Sequence, residues 1–336
     1  MDTKLPRASV VIRSCNRVAA LCELIRAVQR QTEQDFEIVV VEQSTRVAAA
    51  DAAQLARLAA DARVRILRHP PLGGPRARNV GARAARAPVL VFMDDDDLPA
   101  DETWLAAHLA NFADPGCLAV TGRHFVDGEL RPPYRDLERA RRHVLSFLPL
   151  LMWQRSYTRS DRRRTVETVE GGNASIRRDV LARVGLWDEC TSIEDELSFC
   201  YRLRAALRPG EYLLFDPAAL MRRRLHLRGG LDKRALHPIG YAARGFEFLH
   251  HIVAHYFPAR FLLLYPAYMV LLYAVCLDWI WNEAHARGGR ARRVASAAGL
   301  LGALPLLWPY WLARHALRRV VHGPLEHAPR LDGAAS

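Results

Sequence analysis

The most evident chemistry in this chain lies in four consecutive aspartates, Asp94, Asp95, Asp96 and Asp97, which directly follow the apolar run Pro88-Val89-Leu90-Val91-Phe92-Met93. Carboxylates this close repel, and one or more takes up a proton unless positive charge sits among them. A divalent cation supplies that charge. Hard oxygen ligands at a strand end suit Mg²⁺ or Mn²⁺, ions usually shared with a phosphate. The same residues also fit a solvated acidic turn before a helix, with Asp97 or Asp101 as its cap. A second acidic group, Glu194-Asp195-Glu196, precedes Leu197, Cys200, Tyr201 and Leu203. Those four apolar residues stand at helical spacing, which sets the acids at a helix N-terminus. Acids favour helix N-termini electrostatically, and this explains one or two of them without any catalytic role.

Groups so placed need a frame. Short apolar runs at Ala8–Ile12, Phe36–Val41, Val64–Leu67 and Val89–Met93 read as strands. Between them, Val18–Gln31, Ala48–Ala60 and Arg76–Arg86 read as helices. Strands that are apolar almost throughout, alternating with helices, predict a mostly parallel sheet covered on both faces. Ligands bind such sheets at the carboxyl ends of the strands. Three polar clusters fall there, Arg13–Arg17, Glu42–Thr45 and Asp94–Asp97, with the Gly-rich loop Pro70–Pro75 between the second and third. Together they favour a nucleotide site. Further on, Trp104–Phe112 reads as a helix and Leu118–Gly122 as a strand. A short strand at Gly171–Ile176 leads into a helix, Arg178–Val184, closed by Gly185. The arginine-rich stretch Phe125–Glu170 breaks the pattern and reads as an excursion toward an acceptor.

Composition narrows the class. The chain has 336 residues, half of them apolar and a quarter charged, which is globular. Its net charge of +12 attracts anions. The basic residues are dispersed and form no nucleic-acid motif, so no nucleic-acid partner is expected. The six cysteines include no C-x-x-C pair, which argues against a zinc site and fits a reducing cytoplasm. The first residues run straight into a strand and read as no secretory signal peptide.

The order of motifs resembles the family 2 inverting glycosyltransferases of GT-A fold. The residues that carry the likeness are Ser14-Cys15-Asn16-Arg17, Glu42-Gln43-Ser44-Thr45 and Gly73-Gly74-Pro75-Arg76-Ala77-Arg78-Asn79-Val80-Gly81. They continue as Asp94-Asp95-Asp96-Asp97-Leu98-Pro99, Gly171-Gly172-Asn173-Ala174-Ser175, Gly185-Leu186-Trp187-Asp188-Glu189 and Glu194-Asp195-Glu196-Leu197. The likeness covers about residues 7–230. It implies that Ser14, Asn16, Arg17 and Glu42 surround the base and ribose of a nucleotide-sugar, and that Arg78 approaches the base or diphosphate. It implies a D-x-D pair in which Asp94 lies near the ribose and Asp96 on the metal, with Asp95 beside them. Asp195 then stands as the catalytic base with Glu194 adjacent, and His226 completes the metal or diphosphate site. The family usually has aspartate where Glu42 stands.

The implied function is metal-dependent transfer of a sugar, with inversion, from a UDP-, GDP- or dTDP-linked donor to a hydroxyl of a glycan or lipid-linked glycan. Residues 231–336 form a helical, aromatic and basic C-terminal region, with uncharged runs at Phe261–Leu277 and Val294–Ala313. Helices packed on the catalytic domain or in a homodimer, an anchor lying on the membrane surface, and a two-span hairpin all fit these runs. The expected location is cytoplasmic, peripheral at the inner face of the membrane. Two other functions compete. A sugar-phosphate nucleotidyltransferase is disfavoured because Ser9–Arg17 contains no glycine. A non-catalytic nucleotide-sugar binder or membrane scaffold has no need of an acceptor-side base such as Asp195.

Overall fold

A computed structural model describes residues 4–126, 146–147, 153–154, 160–189, 195–224, 227 and 329–332, together with scattered positions between 270 and 317. The first half follows the alternation in the sequence. Strands β1 (Ala8–Ser14), β2 (Phe36–Glu42), β3 (Val64–Arg68) and β4 (Val89–Asp94) pair in parallel in the order β3-β2-β1-β4. Helices α1 (Val18–Gln29), α2 (Ala49–Leu58) and α3 (Gly74–Ala84) connect them.

These strands are apolar on both sides because both faces are covered. Val10 and Ile12 of β1, with Val91 and Met93 of β4, join one core under α1. Val11, Leu90 and Phe92 point the other way into a second core that contains Ala82 of α3. Alternate residues of one strand therefore serve opposite layers. Full burial stabilises each such side chain by roughly 1.5–3 kcal/mol, so the strand ends are held by a stiff frame.

After β4 the chain forms β5 (Asp97–Pro99), α4 (Trp104–Ala110) and β6 (Cys117–Val126). Two short strands, β7 (Ser146–Phe147) and β8 (Trp153–Gln154), pair with each other. Then come β9 (Arg164–Val166), β10 (Asn173–Arg177), α5 (Arg178–Val184), α6 (Asp195–Ala205) and β11 (Tyr212–Arg223). The second half of the sheet is mixed. β10 runs antiparallel to β4 and β6, β11 runs parallel to β6, and β5 and β9 run antiparallel to β11. The expected parallel arrangement thus holds for β1–β4, and the sheet as a whole is mixed α/β. Helix α5 ends where Gly185 takes φ 79°, as its sequence predicts. Cys15, Cys22, Cys117 and Cys200 are buried free thiols.

The chain divides into two compact units. One holds the sheet and also residues 328–336; the other comprises residues 190–194 and 232–327. In the second unit Val270, Val294, Leu301, Leu306, Tyr310 and Leu317 are exposed. Among the described residues no helix is long and apolar enough to cross a membrane.

Candidate active site

The carboxyl ends of β1, β2 and β4 meet at a lattice of arginines and carboxylates. β1 and β4 are in register with Arg13 opposite Asp94. That register lets Arg13 grip Asp94 in bidentate fashion, Nε to Oδ1 at 2.5 Å and an Nη to Oδ2 at 2.9 Å. Burial opposes the Asp94 charge, but Arg13, with Arg78 and Arg223 beyond it, overrides burial and holds the carboxyl well below its usual range.

Asp95 is turned inward and is 4% exposed. Its Oδ2 accepts from Ser14 Oγ at 2.8 Å and from the Cys15 N–H at 3.2 Å, and its Oδ1 accepts from Arg17 at 2.8 Å. Burial raises its pKa in spite of these partners. Arg17 also donates to Asp96 Oδ2 at 2.9 Å. Burial and the neighbouring charges of Asp97 and Asp94 push Asp96 up to about 6. Asp97 is fully buried and paired with both arms of Arg223 at 3.1 Å, with His124 Nε2 at 3.3 Å.

The loops around this lattice are tied to one another. Asn16 adopts a left-handed φ of 56°, a conformation its short polar side chain tolerates. Its N–H donates to Ser44 Oγ at 2.7 Å and its Oδ1 accepts the Thr45 N–H at 3.0 Å. Glu42 is buried, accepting the Ser44 N–H at 2.6 Å and lying 3.4 Å from Arg68. Gln43 Oε1 accepts the Leu72 N–H at 2.8 Å, which anchors the Gly-rich loop. Two glycines sit in close approach to this lattice. A Cβ on Gly74 would overlap the Arg13 guanidinium, and one on Gly172 would lie 3.1 Å from Asp94 Oδ2 and 3.3 Å from Asp97 Oδ2.

Asp195 is the first residue of α6 and is 4% exposed. Arg78 of α3 donates to its Oδ2 and lies 3.9 Å from Asp94 Oδ1. The guanidinium of Arg78 sits over the Trp187 ring at 5.4 Å. Burial pushes Asp195 up to about 6 while Arg78 pulls it down and Glu196 adds to the rise. The structure therefore brings Ser14, Asn16, Arg17, Glu42, Arg78, Asp94, Asp95, Asp96 and Asp195 to one side of the sheet. Glu194 and His226 lie outside the described residues. Sequence reasoning assigned no role to Arg13, Arg223 or Arg224. Arg224 donates its N–H to Asp96 O and a guanidinium N–H to Asp95 O, at 2.9 and 3.1 Å. The polar cluster that ends β1 already contained Arg13, but its pairing with Asp94 comes from the register of β1 on β4.

Among the described residues no group of three or more His, Cys, Asp or Glu side chains is gathered as a metal centre. The chemistry of Asp96 nevertheless fits a divalent cation. Its side chain is 30% exposed and Arg17 donates to Oδ2, so the carboxylate is partly open to a hard cation.

A family model described as Glycosyl transferase family 2 matches residues 9–185, just over half of the chain. Two proteins named pre-mycofactocin glycosyltransferase, from Mycobacterium tuberculosis strains CDC 1551 / Oshkosh and ATCC 25618 / H37Rv, are 27% identical over 184 residues. The match covers 52% of this chain and 35% of theirs, so the chain spans about a third of the length of these curated relatives. A mannosyltransferase from Pyrobaculum calidifontis, solved with GDP-Man and Mn²⁺, superposes with a TM-score of 0.53 at 18% identity, over 96% of this chain and 88% of that one. GalNAc-T7 with UDP, GalNAc and Mn²⁺ gives 0.55 at 16% identity, over 97% and 60%. S. aureus TarS 1–349 with UDP-GlcNAc gives 0.54 at 13% identity, over 92% and 80%. These likenesses establish the GT-A fold.

Proposed function

The chain belongs to glycosyl transferase family 2, and from that premise we propose that it transfers a sugar, with inversion, from a nucleotide-sugar to a hydroxyl of a glycan or lipid-linked glycan, with Mg²⁺ or Mn²⁺ bound. The observation that carries the reading is Arg78, which touches Asp195 and approaches Asp94, so that one cation links the two acidic groups. The nucleotide-sugar and Mn²⁺ complexes of the solved relatives support the donor class.

Each residue then has a task. Asn16, Glu42 and the turn around them border the nucleoside. Asp94 and Asp96 hold the metal and ribose side, and a bound metal supplies positive charge for the departing diphosphate. Arg13 and Arg78 offer further positive charge where the leaving group gains negative charge. Asp195 accepts the proton of the acceptor hydroxyl as that oxygen bonds the anomeric carbon. The bond from that carbon to the diphosphate breaks on the opposite side, and the nucleoside diphosphate departs with the electron pair. No covalent enzyme intermediate is needed. The basic, aromatic region 231–336 favours a membrane-held acceptor on the cytoplasmic side.

A thermal-shift series tests this reading, with UDP-, GDP- and dTDP-sugars each added with and without Mn²⁺. A ligand bound only by the native state raises the melting temperature by mass action. One nucleotide class should give a shift that needs the metal. Asp195→Asn should keep that shift and lose transfer. Retained transfer in that variant would place the base elsewhere, and the absence of any shift on folded protein would remove the donor assignment.

A further inference from the structure

We propose that residues 329–332 are a strap that positions Asp195, acting through the turn at 185–188, with Leu331 as its anchoring residue. The inference rests on the reading of Asp195 as the base. Residues 329–332 belong to the same compact unit as the sheet. Pro329 O accepts the Leu186 N–H at 2.8 Å, and Arg330 O accepts from Arg83 Nε at 3.1 Å. Leu331 is 7% exposed and lies in the second core with Ala82, Ala85, Leu186 and Trp187. The strap thereby binds two elements at once, the turn through Leu186 and helix α3 through Arg83.

Both elements lead to Asp195. On the turn, Val184 O accepts from Arg202 Nε at 3.1 Å, Asp188 Oδ1 accepts from Arg202 at 2.7 Å, and Leu186 O accepts from the same guanidinium. Arg202 belongs to α6, the helix that Asp195 begins. Trp187 stacks on Phe199 of α6 with ring centroids 4.8 Å apart. On α3, Asn79 brackets the Trp187 backbone, donating to its O at 2.9 Å and accepting its N–H at 3.0 Å. The neighbouring Arg78 lies over the Trp187 ring and bonds Asp195. The turn is therefore gripped by α3, by α6 and by the strap, and among the described residues it is the strap that satisfies the N–H of Leu186. One buried leucine and one backbone hydrogen bond are too little to hold a domain together. They are enough to change how often the turn opens by tenfold or more.

Hydrogen exchange on the full chain, read by mass spectrometry, tests the strap without any need to know the donor. In Leu331→Asp, amides of 185–188 and of 197–203 should exchange at least tenfold faster, while peptides from β1, β2 and β4 keep wild-type rates. Leu331→Met should behave as wild type. Leu331→Ala, a milder change, gives the same pattern at smaller amplitude and serves if the aspartate variant does not fold. Unchanged exchange at 185–203 would overturn the strap. So would acceleration at Leu186 that stops short of 197–203, or acceleration spread equally over β1–β4. If Asp195→Asn retained transfer while this exchange pattern held, the strap would stand and the identity of the base would fall.

Discussion

Arg78 bonds the carboxylate of Asp195, 117 residues further along the chain, and sits 3.9 Å from Asp94. One buried cation thus bonds one acidic group and approaches the other. Burial pushes Asp195 up to about 6, and Arg78 is the largest influence opposing that rise. A base works ionised, so kcat/KM should fall as pH drops through about 6. Arg78→Ala removes the opposing charge, and the acid limb of the pH–rate profile should move to higher pH, with kcat down on the order of 10²-fold. Arg78→Lys should restore the limb more than the rate, because an ammonium lacks the planar contact with Trp187. An acid limb unmoved in Arg78→Ala would separate Arg78 from the base.

Arg17 lies between Asp95 and Asp96, at 2.8 and 2.9 Å from the two carboxylates. Its charge beside Asp96 would oppose a divalent cation held by that carboxylate, as proposed. Arg17→Met should bind Mn²⁺ in the absence of donor about tenfold more tightly, equivalent to about 1.4 kcal/mol. Its melting temperature should fall, since Asp95 loses its cation. Free Mn²⁺ measured by electron paramagnetic resonance reads the affinity directly. Equal or weaker Mn²⁺ binding by the variant would take Arg17 out of the metal site.

Arg223 is a matter of stability. It provides both arms to Asp97, a carboxylate that is 0% exposed. Removing Arg223 leaves the buried Asp97 with His124 as its remaining partner, so Arg223→Met should cost about 3 kcal/mol in denaturant unfolding. The double variant Arg223→Met/Asp97→Asn should recover part of that loss. If the two changes simply add, the pair contributes no coupling.

His108 sets a pH window for folding. It is fully buried, and burial pushes its pKa down to about 4 from the ordinary 6.5. Asn173 Nδ2 donates to Arg123 O and Ala219 O, which leaves Oδ1 to accept from His108 Nε2 at 2.9 Å. Burial, which outweighs that hydrogen bond, keeps the ring neutral in the folded protein above about pH 4. Between pH 6.5 and about 4 the unfolded chain takes up a proton that the folded one refuses. Stability should thus fall with pH across that window, by roughly 3 kcal/mol at its lower end. Unfolding free energies of wild type and His108→Gln, compared at pH 7 and pH 4.5, should differ in slope. Parallel slopes would assign the acid loss to other groups.

The first half of the molecule was legible in the chain because its signals are local. Continuous apolar runs with helices between them require a sheet buried on both faces, and the acids must then stand at strand ends. Gly185 as a helix stop and Asp195 at a helix start were equally readable, since one depends on backbone freedom and the other on a helix end. What only the tertiary structure decided was pairing. β5 is three residues long and β11 carries a register shift between Asp216 and Leu220, so neither has a clean period to read. Yet their pairing, with Arg223 opposite Asp97, supplies the cation for a buried carboxylate. In the same way, nothing local foretells that Arg78 reaches Asp195 or that Leu331 returns to the core. Charge neutralisation and packing act across space, between residues whose separation along the chain is arbitrary, and they become visible only once the strands are in register.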